Sequence, residues 1–106
     1  MWEKQRKAER VPTAEPVSGS WTNGGAHAIS GITRDLSTCG AFFYCERAPE
    51  LGSEVELLLE LPPKLAGGDT GSVLCRGRVV RVEPSGDDLT VGVAVEFESV
   101  EKIPSS

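Results

Sequence analysis

Hydrophobic and polar residues alternate with a period of two along much of this chain. From Ser53 onward, Val55, Leu57, Leu59 and Leu61 share one parity and Glu54, Glu56 and Glu60 the other, with Leu58 as the exception. Successive side chains of an extended strand point to opposite faces, so the pattern predicts a strand with one dry face and one wet face. Leu89, Val91, Val93, Val95 and Phe97, alternating with Thr90, Gly92, Ala94 and Glu96, predict a second strand in the same way. Ala41-Phe42-Phe43-Tyr44-Cys45 has the aromatic composition of a third, closed by the turn residues Ala48-Pro49-Glu50-Leu51-Gly52. Val73 to Glu83 reads as a longer strand whose alternation breaks: Arg76 and Arg78 share a parity with Val80 and Val82, which a bulge near Gly77 would reconcile.

The earlier part of the chain adds two more strands. One runs through Trp21 to the turn signal Asn23-Gly24-Gly25, and its partner covers about His27 to Leu36. Before them, the prolines of Val11-Pro12-Thr13-Ala14-Glu15-Pro16-Val17 lack amide hydrogens and force an extended lead-in. Pro62-Pro63 ends the Glu-rich strand, and Lys64 to Gly71 reads as a loop. No segment carries a long 3.6-residue period, so helix is confined to short turns near the N-terminus or around Val100 to Ile103. Six short strands joined by turns predict an all-β fold, and a closed antiparallel barrel is favoured over a sandwich because closure removes exposed sheet edges. The organisation expected is an N-terminal arm at 1–11, a barrel at 12–99 and a C-terminal tail at 100–106.

Composition bounds the function. With 106 residues, 39% hydrophobic and 25% charged, the chain has the size and make-up of one folded domain. Its net charge of -5 argues against a general nucleic-acid-coating protein. The charge is unevenly spread: Lys4, Arg6, Lys7 and Arg10 outnumber Glu3 and Glu9, so a basic arm precedes an acidic body. No apolar run is long enough to cross a bilayer and the first residues lack a signal-peptide pattern, which makes a cytoplasmic location the expectation. Three cysteines without a Cys-x-x-Cys pair suit reduced thiols, and Cys39, Cys45 and His27 lack the close pairing of a zinc site, so no metal is expected. A single histidine, no nucleophile elbow, no phosphate loop and carboxylates lying mostly on a wet strand face argue against an enzyme. The six aromatics fall mostly within strands, which argues against a single-stranded nucleic-acid barrel.

Two clusters remain. Arg6-x-x-x-Arg10 sets two guanidiniums on the arm, and Asp35-Leu36-Ser37-Thr38-Cys39-Gly40 lies at a strand junction, where Asp, Ser and Gly also serve as ordinary turn residues. In this order the two resemble the paired signature of the PilZ domain, Arg-x-x-x-Arg followed after a spacer by Asp/Asn-x-Ser-x-x-Gly. Gly40-Ala41-Phe42-Phe43-Tyr44, the Pro49 to Val55 turn, Gly77 to Glu83 and Gly92 to Phe97 resemble the family's later strands, so the likeness spans residues 5 to 98.

The resemblance implies a six-stranded PilZ-like split barrel with a flexible arm that binds the bacterial second messenger cyclic di-GMP and needs no cofactor. It implies a ligand site of Arg6, Arg10, Asp35, Ser37 and Gly40, with Gln5, Lys7 and Gly92 as secondary positions. The residue types suit that ligand. A guanidinium can donate two parallel hydrogen bonds to guanine O6 and N7 or to a phosphate, while the donors of the Watson-Crick edge need an acceptor such as ionised Asp35. Ser37 can donate or accept near base or phosphate, and Gly40 lets backbone approach closely. Where the family often has adjacent arginines, this chain has Gln5 before Arg6 and Lys7 after it, which leaves one ligand or a stacked pair open. On binding, the arm would order around the dinucleotide and relay the signal to a protein partner, with no nucleic-acid polymer and no membrane insertion. The alternative is a PilZ-like protein-interaction module that does not bind nucleotide.

Overall fold

The computed structural model describes residues 11–22, 25–61, 71–86 and 89–103. They form seven strands: β1 (Val11–Pro12), β2 (Pro16–Thr22), β3 (Ala26–Leu36), β4 (Gly40–Cys45), β5 (Glu54–Leu61), β6 (Gly71–Pro84) and β7 (Val91–Lys102). The sheet order is β1-β3-β2-β5-β6-β7-β4, and a further β3–β4 pairing closes six of the strands into an antiparallel barrel. Strand β1 is the extra one. It lies on the same flank of β3 as β2, with Val11 opposite Leu36 and Pro12 opposite Asp35.

Alternation fills the barrel as expected. Phe43, Val55, Leu57, Leu59, Val93 and Val95 point inward and are buried, while Glu54, Glu56 and Glu60 stay on the outer face, as does the exceptional Leu58. A bulge does lie near Gly77 as expected, but its extra residue is not on β6, and a second one follows. Gly77 is itself an inward position, in parity with Val73, Cys75 and Val79. One register shift falls beside it, where the unpaired residue is Glu98 on β7, and a second falls between Val79 and Arg81. The second leaves Val80 without a partner, so Val80 and Arg81, though adjacent, are both exposed.

Two expectations about the ends also change. No helix forms among the described residues: Val100 to Lys102 continue β7, pairing with Cys75 to Val73, and the Ile103 amide donates to the Ser72 carbonyl at 3.0 Å. The long first half of β6 supplies those partners, so residues assigned to a tail complete the sheet instead. Residues 1–10, with any helical turn there, lie outside the described residues, as do Asn23 and Gly24.

Candidate ligand-binding site

The site is built around an irregularity in β3. Up to Thr33 the inward parity is odd, with Ile29 and Thr33 buried; beyond it Leu36 is the buried residue. The change of parity is a β-bulge. Against β4, Thr33 pairs with Phe43 and Asp35 with Phe42, so Arg34 has no partner. Bulges re-aim side chains, and here two consecutive residues, Arg34 and Asp35, both leave the barrel on its outer side. They meet there: Arg34 Nε donates to Asp35 Oδ2 at 2.9 Å. Asp35 holds the Arg34 guanidinium above its ordinary pKa, and Tyr44 adds to the effect, so Arg34 is a permanent cation.

Thr33 fastens the N-terminal lead-in to the same place. Its buried hydroxyl accepts from Thr13 Oγ1 at 2.7 Å and from the Glu15 amide at 3.0 Å, within reach of the Glu15 carbonyl at 3.0 Å. Backbone bonds from Thr13 to Arg34 and from Thr33 to Glu15, each 2.9 Å, continue the ladder. The chain therefore passes alongside Asp35 and Leu36 as it leaves residue 11.

The Asp35 to Gly40 corner is a tight reversal. The Ser37 amide donates to the Gly40 carbonyl at 2.9 Å, and the buried Ser37 Oγ accepts the amides of Cys39 at 3.1 Å and Gly40 at 3.2 Å. The first task of Ser37 is thus to hold this corner. Gly40 is buried and does not have a positive φ; a Cβ there would collide with the Val95 carbonyl oxygen of β7. Close approach of β7 to β4 requires the glycine. At Gly92 a Cβ would come within 2.6 Å of Phe42 Cζ, so this glycine makes room for a ring.

That ring was not among the residues singled out from the sequence. Phe42 is only 1% exposed although its neighbour Phe43 takes the inward position. Two adjacent residues of an unbulged strand point to opposite faces, so the Phe42-Phe43 pair in the sequence already implied an aromatic outside the barrel. Register places Asp35, Phe42, Ala94 and Arg81 in one row across β3, β4, β7 and β6. Arg34 Cζ lies 3.8 Å from the Phe42 centroid, Arg81 Cζ lies 5.9 Å from it, and Tyr44 meets the ring edge-on at 5.5 Å between centroids. Arg81 Nε also pairs with Glu83 at 3.1 Å. Beside this row, Ser37, Cys39, Gly40, Val80, Ala94 and Glu96 line a small recess. Arg81 further borders a recess of about 490 Å³ with Pro49, Leu51, Val80 and Val82.

Of the residues expected from the sequence, Asp35, Ser37 and Gly40 share one corner, and Gly92 lies on the neighbouring face through Phe42. Arg6, Arg10, Gln5 and Lys7 fall outside the described residues.

Residues 4–104 match the family model of the PilZ domain. The chain belongs to the PilZ family. No curated protein matches it. Among solved structures, a PilZ-containing neighbour is the Bacillus subtilis Inhibitor of motility (MotI/DgrA), with a TM-score of 0.68 and 14% identity over 90% of this chain. At that identity the likeness speaks for the fold, and the PilZ domain described here spans 43% of the neighbour's length. Among the described residues of the domain, no helix is long and apolar enough to cross a membrane.

Proposed function

We propose that this PilZ domain is a cytoplasmic receptor for cyclic di-GMP that orders its N-terminal arm around the ligand and passes the signal to a protein partner, without a cofactor or catalysis. The observation that carries the reading is the docking of β1 on β3. Val11 opposes Leu36. Val11 directly follows Arg10, the second arginine of Arg-x-x-x-Arg, in the sequence, and its place beside the Asp35 to Gly40 corner supports this reading. Arg6 precedes Arg10 by four residues.

In this reading Arg6 and Arg10 take guanine acceptors or phosphate, Asp35 accepts from a Watson-Crick edge, and Ser37 and Gly40 shape the corner that presents it. Gln5, Lys7 and Gly92 are secondary contacts. A charge-assisted hydrogen bond contributes about 1.5–3 kcal/mol, which corresponds to a loss of roughly ten- to a hundredfold in affinity when one partner is removed. Calorimetric titration with cyclic di-GMP tests this. The wild type is expected to bind, and Arg10→Ala and Asp35→Ala to lose at least that factor with unchanged urea midpoints. Unchanged isotherms in both variants would refute the assignment.

A second reading, a protein-interaction module that ignores nucleotide, is favoured by one feature: Leu51, Val80 and Val82 expose apolar surface around the recess that Arg81 borders. A wild-type titration with no heat and no change in tryptophan emission would select it.

A further inference from the structure

We propose that Arg34, resting on Phe42, is a stacking platform for a guanine base of the ligand; the proposal rests on the cyclic di-GMP reading above. Arg34 lies outside both sequence clusters, between Thr33 and Asp35. The bulge exists because of this residue: without it, Thr33, Asp35 and Leu36 would follow one another in unbroken alternation against β4. Its insertion sends a planar cation outward next to the carboxylate expected to read a base edge.

The surroundings keep the platform accessible. One side of the guanidinium is backed by the ring, with Cζ 3.8 Å from the centroid, yet the Arg34 side chain remains 46% exposed. Ala94, the next cross-strand residue after Phe42, is small, and Tyr44 reaches the guanidinium from the neighbouring row. Arg81 rims the far side of the same ring at 5.9 Å. Bases stack on guanidinium planes as they do on aromatic rings, and the hydrogen bond to Asp35 limits the rotation of the plane. A purine seated over Arg34 brings its edge to the adjacent carboxylate, so two consecutive residues read the face and the edge of one base. Covering Phe42 alone would require an alkyl stem and no planar head.

The test separates plane, charge and positioning through calorimetric titration of cyclic di-GMP into four proteins. A stacking contact of this kind is worth about tenfold in affinity. Arg34→Ala and Arg34→Lys are each expected to lose roughly that factor, since lysine keeps the charge and loses the plane. Arg34→Tyr, which restores a flat surface and removes the bond to Asp35, is expected to stay within about threefold of wild type. Wild-type affinity in Arg34→Ala would overturn the platform, and wild-type affinity in Arg34→Lys would reduce the residue to a charge. Equal loss in the lysine and tyrosine variants would make Arg34 a holder of Asp35 and overturn stacking. If the wild type itself does not bind, the functional reading falls and the platform with it; binding by the wild type with an indifferent Arg34 removes only the platform.

Discussion

The two sides of this barrel are built on different rules. On the wall formed by β2, β5 and the first half of β6, the β2–β5 and β5–β6 ladders run without a register shift. Its outer charges answer one another across strands: Glu56 opposes Arg76 at 2.9 Å and Glu54 opposes Arg78 at 3.4 Å. On the wall formed by β3, β4, β7 and the second half of β6, Arg34 and Val80 are inserted residues. There the outer face carries a buried aromatic with two guanidiniums over it. Regular alternation spends every outward residue on solvent or on a charged partner opposite. Inserted residues put two consecutive side chains outside, which gives a surface able to grip a planar, charged molecule.

The largest expected effect comes from deleting one residue on each wall. Removal of the exposed Leu58 shifts everything after it in β5 by one position, sending Leu59 out of the core and Glu60 into it. Losing a buried leucine costs about 2–5 kcal/mol, and burying an unpaired carboxylate adds several more, an amount comparable to the whole stability of a small domain. That variant is expected to be unfolded by circular dichroism. Removal of Val80, also exposed, deletes the unpaired residue, leaving Val79 opposite Val95 and Arg81 opposite Ala94 in a ladder unbroken from Gly77 to Pro84. This second variant is expected to fold, with a cooperative urea transition. If both variants unfold, or both fold, the distinction between the walls is wrong.

Thr33→Val probes the joint between the bulged wall and the arm at a smaller scale. Valine fills the same volume and removes the hydroxyl that holds Thr13 and the Glu15 amide. The expected loss is about 1–2 kcal/mol in urea denaturation, with weaker cyclic di-GMP binding although the buried side chain touches no ligand. Retained affinity at reduced stability would show that the lead-in does not help position the arm.

The same contrast explains what could be read from the residues alone. Strands β5 and β7 were legible because their alternation is nearly unbroken, and closure into a barrel followed from six predicted strands with few helical signals. The bulges were legible only in part. An inserted residue looks in sequence like failed alternation; a bulge does fall beside Gly77, but its extra residue is Glu98 of β7, and the break in β6 itself comes at Val80. The actual positions depend on which partner strand absorbs the extra residue, a nonlocal matter. The Asp35 to Gly40 cluster was recognisable as a motif, but the Gly40 requirement comes from a β7 carbonyl far along the chain. Arg34 and Arg81 became candidates only when register set them over Phe42.

The smallest expected effect is on the regular wall. Exchanging its opposed charges, Glu56→Arg together with Arg76→Glu, reverses a cross-strand pair whose two side chains are about half exposed. Solvent screens such a pair, so its direction matters little. The double variant is expected to keep both the urea midpoint and the cyclic di-GMP isotherm of the wild type. The corresponding exchange on the other wall, Arg34→Asp together with Asp35→Arg, conserves composition in the same way but takes the planar cation off Phe42 and the carboxylate away from the arm. It is expected to keep the fold and lose binding. Should the exchange at Glu56 and Arg76 prove as damaging to binding as the exchange at Arg34 and Asp35, the ligand surface would extend around the barrel and the bulges would have no special claim to it.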